Sequence, residues 1–232
     1  MGGEMTNIAV VGGTGAEGSA IALRLGHAGY RVILGTRDAS RGARISEELN
    51  RILGHAAVQF ATNDEAARAA QIVILTVPYS VQISIVKELS PALENKILID
   101  TTVPLLPPKV SSVQLPPGGS AVAIIQQMLG DKVRVVSAFQ NVAANKLRDL
   151  DADVGCDVLV CGDDAGARAL TLELIAKMGL RGLDAGPICN SAAAEALTSI
   201  LIFLNRKYKV PGSGIKITGL DDIAAARRER GQ

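Results

Sequence analysis

The stretch that decides the fold is Asn7–Gly18, NIAVVGGTGAEG. A short apolar run, Ile8 to Val11, enters Gly13-Thr14-Gly15-Ala16-Glu17-Gly18, a GxGxxG pattern, and helix-forming residues follow at once. That order is the strand, tight turn and helix start of a dinucleotide-binding βαβ unit. The residue types have physical reasons. Gly13 is expected to make the sharp turn out of the strand. Gly15 has no Cβ, so a pyrophosphate can approach the backbone. Gly18 lets the helix lie close on the sheet. The unpaired N–H groups and the dipole of the helix N-terminus favour an anion.

The next decision lies at the tip of the second strand, expected over Tyr30 to Leu34. An NAD site usually has a carboxylate there for the ribose 2′-hydroxyl. This chain has Gly35-Thr36-Arg37, with Arg41 one helical turn on. A hydroxyl and two guanidiniums suit a 2′-phosphate, so the pattern predicts NADP. Asp38 lies past the tip and is read as the cap of the following helix.

Strand and helix patterns then alternate. The first helix is expected from about Ala16 to His27 and the second from about Ser40 to Leu53. Further strands are expected over Ala57 to Ala61, Gln71 to Val77, Lys96 to Asp100 and Lys132 to Phe139. Between them the pattern places helices starting at Asn63-Asp64-Glu65, near Val81 to Leu89, and from Ser120 to Leu129. Six alternations imply a doubly wound parallel sheet. Two more strands, Asp157 to Cys161 and Leu180 to Asp184, flank a helix to Met178 that Gly162-Asp163-Asp164 leads into. A long apolar helix, Cys189 to about Lys207, a short tail strand over Ile215 to Thr218 and a charged helix over Asp222 to Gln232 complete the reading. The fold class is α/β: a Rossmann-type sheet over residues 1–188, with a small C-terminal helical segment at 189–232.

Composition bounds the function. The chain has 232 residues, 48% hydrophobic but only 3% aromatic and without Trp, so its core is built of Ala, Val, Ile and Leu. Its net charge is +1 and no basic stripe stands out, which argues against nucleic acid. No apolar run is expected to reach the roughly 20 residues of a membrane span, and MGGEMTN does not read as a signal peptide. The chain is therefore placed in the cytoplasm. Three cysteines without CxxC spacing are read as buried thiols, and no metal site is expected.

The strand tips carry hydroxyls, amides and small apolar groups: Thr14, Thr36, Thr76-Val77-Pro78, Thr101-Thr102-Val103 and Ala138 to Ala144. They offer no histidine, lysine or obvious carboxylate for acid–base work; Lys146 and Glu17 are the nearest ionisable groups and neither has a partner in sequence, so no catalytic side chain is assigned. Hydride transfer between two stacked rings asks mainly for orientation and exclusion of water, which such tips supply.

Several local sequences together resemble the NADPH-dependent coenzyme F420 reductases. They are GGTG at Gly12–Gly15, GTR at Gly35–Arg37, LTVP at Leu75–Pro78 and VVSAF at Val135–Phe139. VCGDD at Val160–Asp164, LDAGP at Leu183–Pro187, NRKYK at Asn205–Lys209 and GIKITGL at Gly214–Leu220 extend the resemblance. It runs from about Asn7 to Leu220. It implies reversible hydride transfer between NADP(H) and the deazaflavin coenzyme F420, in a homodimer. Carried over, Gly13, Thr14, Gly15, Ala16, Glu17, Thr36, Arg37 and Arg41 would hold the NADP phosphates and ribose. Val77, Pro78, Val81, Val103 and Ala144 would border the nicotinamide, and Ser213 the deazaflavin. One departure stands out: the family commonly has a histidine and an apolar residue or proline where this chain has Gln140 and Ala143. A flavin or other small acceptor is the first alternative, and a non-catalytic NADP-sensing module the second.

Overall fold

The structure, a computed structural model, describes residues 6–220. The charged helix expected over Asp222 to Gln232 lies outside them. Five strands alternate with helices at the start of the chain: β1 (Asn7–Val11), α1 (Ala16–His27), β2 (Arg31–Gly35), α2 (Ala39–Leu53), β3 (Val58–Ala61), α3 (Asn63–Ala69), β4 (Ile72–Leu75), α4 (Tyr79–Leu93) and β5 (Ile97–Asp100). After the long loop come α5 (Ala121–Leu129), β6 (Arg134–Ser137) and α6 (Ala144–Arg148), then β7 (Asp157–Gly162), α7 (Ala165–Lys177), β8 (Arg181–Asp184) and α8 (Ser191–Tyr208).

All eight strands form one sheet in the order β3-β2-β1-β4-β5-β6-β7-β8. The first six are parallel to their neighbours; β7 runs antiparallel to β6, and β8 is parallel to β7. The strand order reverses between β1 and β4, the place where such sheets bind ligands.

Side-chain alternation along β1 explains both layers. Ile8 and Val10 face a core shared with α1, α2, α6 and α7, while Ala9 and Val11 face one shared with α3, α4 and α5. Helix ends follow their local chemistry. Asp38 caps α2, accepting from the Arg41 N–H, as the sequence predicts. Thr62 and Glu65 form a reciprocal capping box on α3, one residue before the expected start.

Three expectations need correction. No strand forms over Ile215 to Thr218. β8 pairs with β7 over Asp157–Val160 and β6 meets it at Cys161 and Gly162, while the tail is tied to Asp157 by single bonds rather than a ladder: the Asp157 N–H donates to the Ile215 carbonyl (2.8 Å) and the Ile217 N–H to Asp157 Oδ2 (2.6 Å). Cys189 is exposed, unlike Cys156 and Cys161. The helical stretch Ile188–Tyr208 is long and apolar enough to cross a membrane by length and composition, contrary to the sequence reading. It is docked on the protein instead. Glu195 of α8 accepts from Ser120 Oγ (2.6 Å) and from the Ala121 (2.7 Å) and Val122 (3.2 Å) N–H groups, capping α5 from another element.

Candidate functional site

The turn after β1 is built by contact distances. Gly12, not Gly13, takes the left-handed conformation, with φ 75°. Gly13 is instead a point of close approach: a Cβ there would lie 2.6 Å from the Val10 carbonyl and 2.8 Å from Leu34 Cδ2. At Gly18 a Cβ would lie 2.5 Å from Thr76 Oγ1, so the start of α1 sits directly against the residue that follows β4. Beside Gly15 a Cβ would meet only the Gly12 carbonyl, at 3.4 Å, which leaves that side open for a ligand. No side chain caps α1, whose first-turn N–H groups face the same opening.

That opening is a cleft of about 630 Å³ along the carboxyl ends of the strands. Its β2 end is basic. Arg37 is exposed and makes no hydrogen bond or ion pair among the described residues. Arg41 Nη2 donates to the Thr14 carbonyl at 2.9 Å. Asp38 is occupied with Arg41 N–H (3.0 Å) and Ser40 Oγ (2.7 Å), bonds that hold its carboxyl below the usual range. It is thus engaged in its cap and leaves the two guanidiniums to set the charge at this end.

The far end is apolar, walled by Val77, Val81, Ile85, Val103 and Leu105. Beneath it the tip of β5 is locked. Asp100, fully buried, accepts from Gln82 Nε2 (2.6 Å) and from the Thr102 N–H (2.9 Å), and burial pushes its carboxyl up. Gln140 Nε2 donates to the Asp100 carbonyl at 2.7 Å and so ties β6 to β5. Just before Gln140, buried Phe139 holds φ 76°, a costly conformation for a bulky residue, at the tip of β6.

Three cleft-lining residues carry a buried polar atom without a partner: Glu17 Oε1, Asn63 Oδ1 and Thr102 Oγ1. Buried polar groups are normally bonded. Three orphans along one cleft, with a free guanidinium and an open glycine, fit a long polar ligand with an extra phosphate at the β2 end.

Residues 7–104 match the family described as NADP oxidoreductase, coenzyme F420-dependent. An F420-dependent NADP reductase of Methanocaldococcus jannaschii is 37% identical over 222 residues, covering 92% of this chain and 99% of that protein. One from Methanothermobacter marburgensis is also 37% identical, over 93% and 99%. The chain belongs to the coenzyme F420-dependent NADP oxidoreductase family. A solved structure from Arthrobacter sp. FB24, provisionally named an F420-dependent NADP-reductase, superposes with a TM-score of 0.76 at 27% identity, covering 92% of this chain and 99% of that one.

Of the family positions named from sequence, the cleft lining gathers Thr14, Gly15, Ala16, Glu17, Thr36, Arg37, Arg41, Val77, Pro78, Val81 and Val103, together with Tyr79. Gly13 lies behind the turn. Ala144 and Ser213 lie outside this lining. Ala144 opens α6, and Ser213 donates its N–H to Asn205 Oδ1 (2.6 Å) and its hydroxyl to the Leu201 carbonyl (3.2 Å). The tail carrying Ser213 reaches the β6–α6 segment: a Cβ on Gly212 would lie 3.0 Å from that of Ala143. Sequence reasoning about this family member missed Asn63, Ile85 and the Asp100–Gln82 bond. A carboxylate ending the apolar run Lys96–Asp100 was the available signal for the last.

Proposed function

We propose that this protein transfers a hydride reversibly between NADP(H) and coenzyme F420. The observation that carries the reading is the end-to-end similarity to F420-dependent NADP reductases, borne on a cleft that is basic at one end and apolar at the other. With both co-substrates bound, the nicotinamide supplies or accepts the hydride, as in NADPH + F420 + H⁺ ⇌ NADP⁺ + reduced F420.

The chain's own residues bind, orient and exclude water. The first turn of α1 holds the pyrophosphate with backbone N–H groups at Thr14 to Glu17. Arg37 and Arg41 take the 2′-phosphate, and Thr36 shapes the strand tip through its hydroxyl, which bonds the Asp38 backbone. Val77, Pro78, Val81 and Val103 form a dry wall on the nicotinamide side, where close approach of two rings lowers the barrier by orientation. Residues 1–188 carry the dinucleotide. Residues 189–232, through the tail at Ser213 and with Ala144, complete the second-substrate pocket. A cytoplasmic homodimer fits this reading: Ile200 and Phe203 leave α8 with an exposed apolar face, 46% and 52% exposed.

The test is a paired spectrophotometric assay following NADPH or NADH oxidation with F420, and separately with FMN. Turnover with F420 and NADPH and little with NADH is the expected result. Turnover with FMN alone would overturn the choice of acceptor.

A further inference from the structure

Glu17 is an unusual residue for its place. It is the second residue of α1, in the turn read above as the pyrophosphate cradle, and an ionised carboxylate there would oppose an incoming phosphate. It lines the cleft, its Oε1 is shut off from solvent, and it makes no hydrogen bond or ion pair among the described residues.

Its direction follows from the helix. Glu17 and Arg24 are seven residues apart, close to two full turns, and so share a face. Arg24 reaches across that face to α6 and the end of α7, donating to the carbonyls of Leu147 (2.7 Å), Asp149 (2.6 Å), Lys146 (3.3 Å) and Met178 (3.1 Å). Glu17, two turns nearer the strand tips, therefore faces the β6–α6 side and turns away from Arg37 and Arg41. On the reading of the cleft as an NADP site, that is the nicotinamide-riboside half.

The charged groups around it are engaged elsewhere. On α2, Arg41 bonds the Thr14 carbonyl and Glu48 pairs with Arg148 of α6. Lys146 of α6 donates to the Val154 carbonyl, 3.2 Å away. On α1 itself Arg24 is spent on carbonyls. From the adjacent strands, β1 contributes no charge and β2 contributes Arg31, at its far end and exposed. Asp38 and Arg37 stand at the opposite end of the cleft. Burial, with no opposing charge, pushes the Glu17 carboxyl up to about 8.

We propose that Glu17 holds the dinucleotide as a neutral carboxylic acid, donating its proton to an oxygen of the nicotinamide-side half, so that cofactor affinity falls as this group ionises. The inference rests on the NADP reading above and goes beyond it by assigning a proton to the binding site. It sets an alkaline limit on cofactor binding.

The experiment is NADPH binding, followed by nicotinamide fluorescence and by calorimetry in two buffers of different ionisation enthalpy, for the wild type and E17Q from pH 7 to pH 9. With a second pKa near 6, the 2′-phosphate is about nine-tenths ionised at pH 7 and almost wholly so above pH 8, so it changes affinity over the window by only about 10%. If only the neutral form binds, the wild-type Kd rises about tenfold over the window. At pH 9 binding then takes up close to one proton. E17Q, neutral and of the same shape, shows a flat Kd and no proton uptake. A flat wild-type Kd, or equal slopes in both proteins, overturns the inference while leaving the NADP reading intact. NADPH that binds neither protein at any pH overturns both. The wild-type slope and proton count need no variant, so a poorly folded E17Q still leaves the first outcome decisive.

Discussion

Arg41 Nη2 donates to the carbonyl of Thr14 at 2.9 Å, joining the start of α2 to the glycine turn across 27 residues. One guanidinium thus braces the glycine turn and, on the proposed function, lends its charge to the 2′-phosphate end. Arg37, beside it, is unengaged. The two arginines should therefore fail differently. On the proposed function, R37A removes charge-assisted bonds to the 2′-phosphate alone. It should raise the KM for NADPH about 10–100-fold, equivalent to roughly 1.5–3 kcal/mol, and leave the KM for NADH nearly unchanged. R41A should raise both, because it also frees the loop. Steady-state kinetics with the two nucleotides separate these outcomes; an R37A effect of equal size on NADH would remove the 2′-phosphate assignment.

The resting protein should also report on Glu17. Its carboxyl has a folded value of about 8 against an ordinary 4.5. A raised acid binds more protons folded than unfolded, so its contribution is fully present below about pH 4.5 and is lost as pH rises through 8. Asp100 and Glu195, both raised by burial, act in the same direction. Thermal melts without nucleotide should show E17Q gaining on the wild type between pH 5 and pH 8.5, by about 2–4 kcal/mol given the partial exposure of the residue. Parallel melting curves would place the carboxyl in water.

Much of this was legible in sequence, and the reason is locality. The GxGxxG turn, the Thr36-Arg37 tip and the Asp38 cap depend on residues within a few positions, and their roles follow from the residue types. The alternation of apolar runs placed six parallel strands for the same cause. What sequence did not show depends on distance. That Gly12 takes the positive φ while Gly13 packs against Leu34 was not legible, because β2, supplying Leu34, decides how closely the turn may pack. The capping of α5 by Glu195, 74 residues from Ala121, has no local signature. The tail strand failed because the tail is tied to β7 through Asp157 alone, a placement set by distant parts of the sheet.

Glu195 gives a stability prediction of its own. It accepts three hydrogen bonds at the N-terminus of α5, and Ser120 Oγ also lies 2.5 Å from Ser191 Oγ. E195A leaves these buried donors unpaired and should cost about 3–5 kcal/mol, read as a fall in the denaturant midpoint with the slope unchanged. E195Q keeps one acceptor oxygen and should cost about 1–3 kcal/mol. A loss below 0.5 kcal/mol for E195A would mean that water satisfies the helix start.

Gln140 offers the sharpest test of the second-substrate end. Its amide donates to the Asp100 carbonyl, so Nε2 is fixed toward β5, while Oε1 is buried without a partner. The amide thus clamps the tips of β5 and β6, and with them the Thr101-Thr102-Val103 wall of the cleft. Q140A should cost about 1–2 kcal/mol of stability and loosen that wall. If, as proposed, the nucleotide is held at the β1 and β2 end and the wall aligns the rings, nucleotide binding should stay within about twofold while kcat with F420 falls about tenfold. Q140H, which places there the histidine that the family resemblance implies, should keep a ring nitrogen as donor and recover most of that rate. Equal losses of nucleotide affinity and turnover in Q140A would show that the β5–β6 clamp supports the whole cleft rather than its acceptor end.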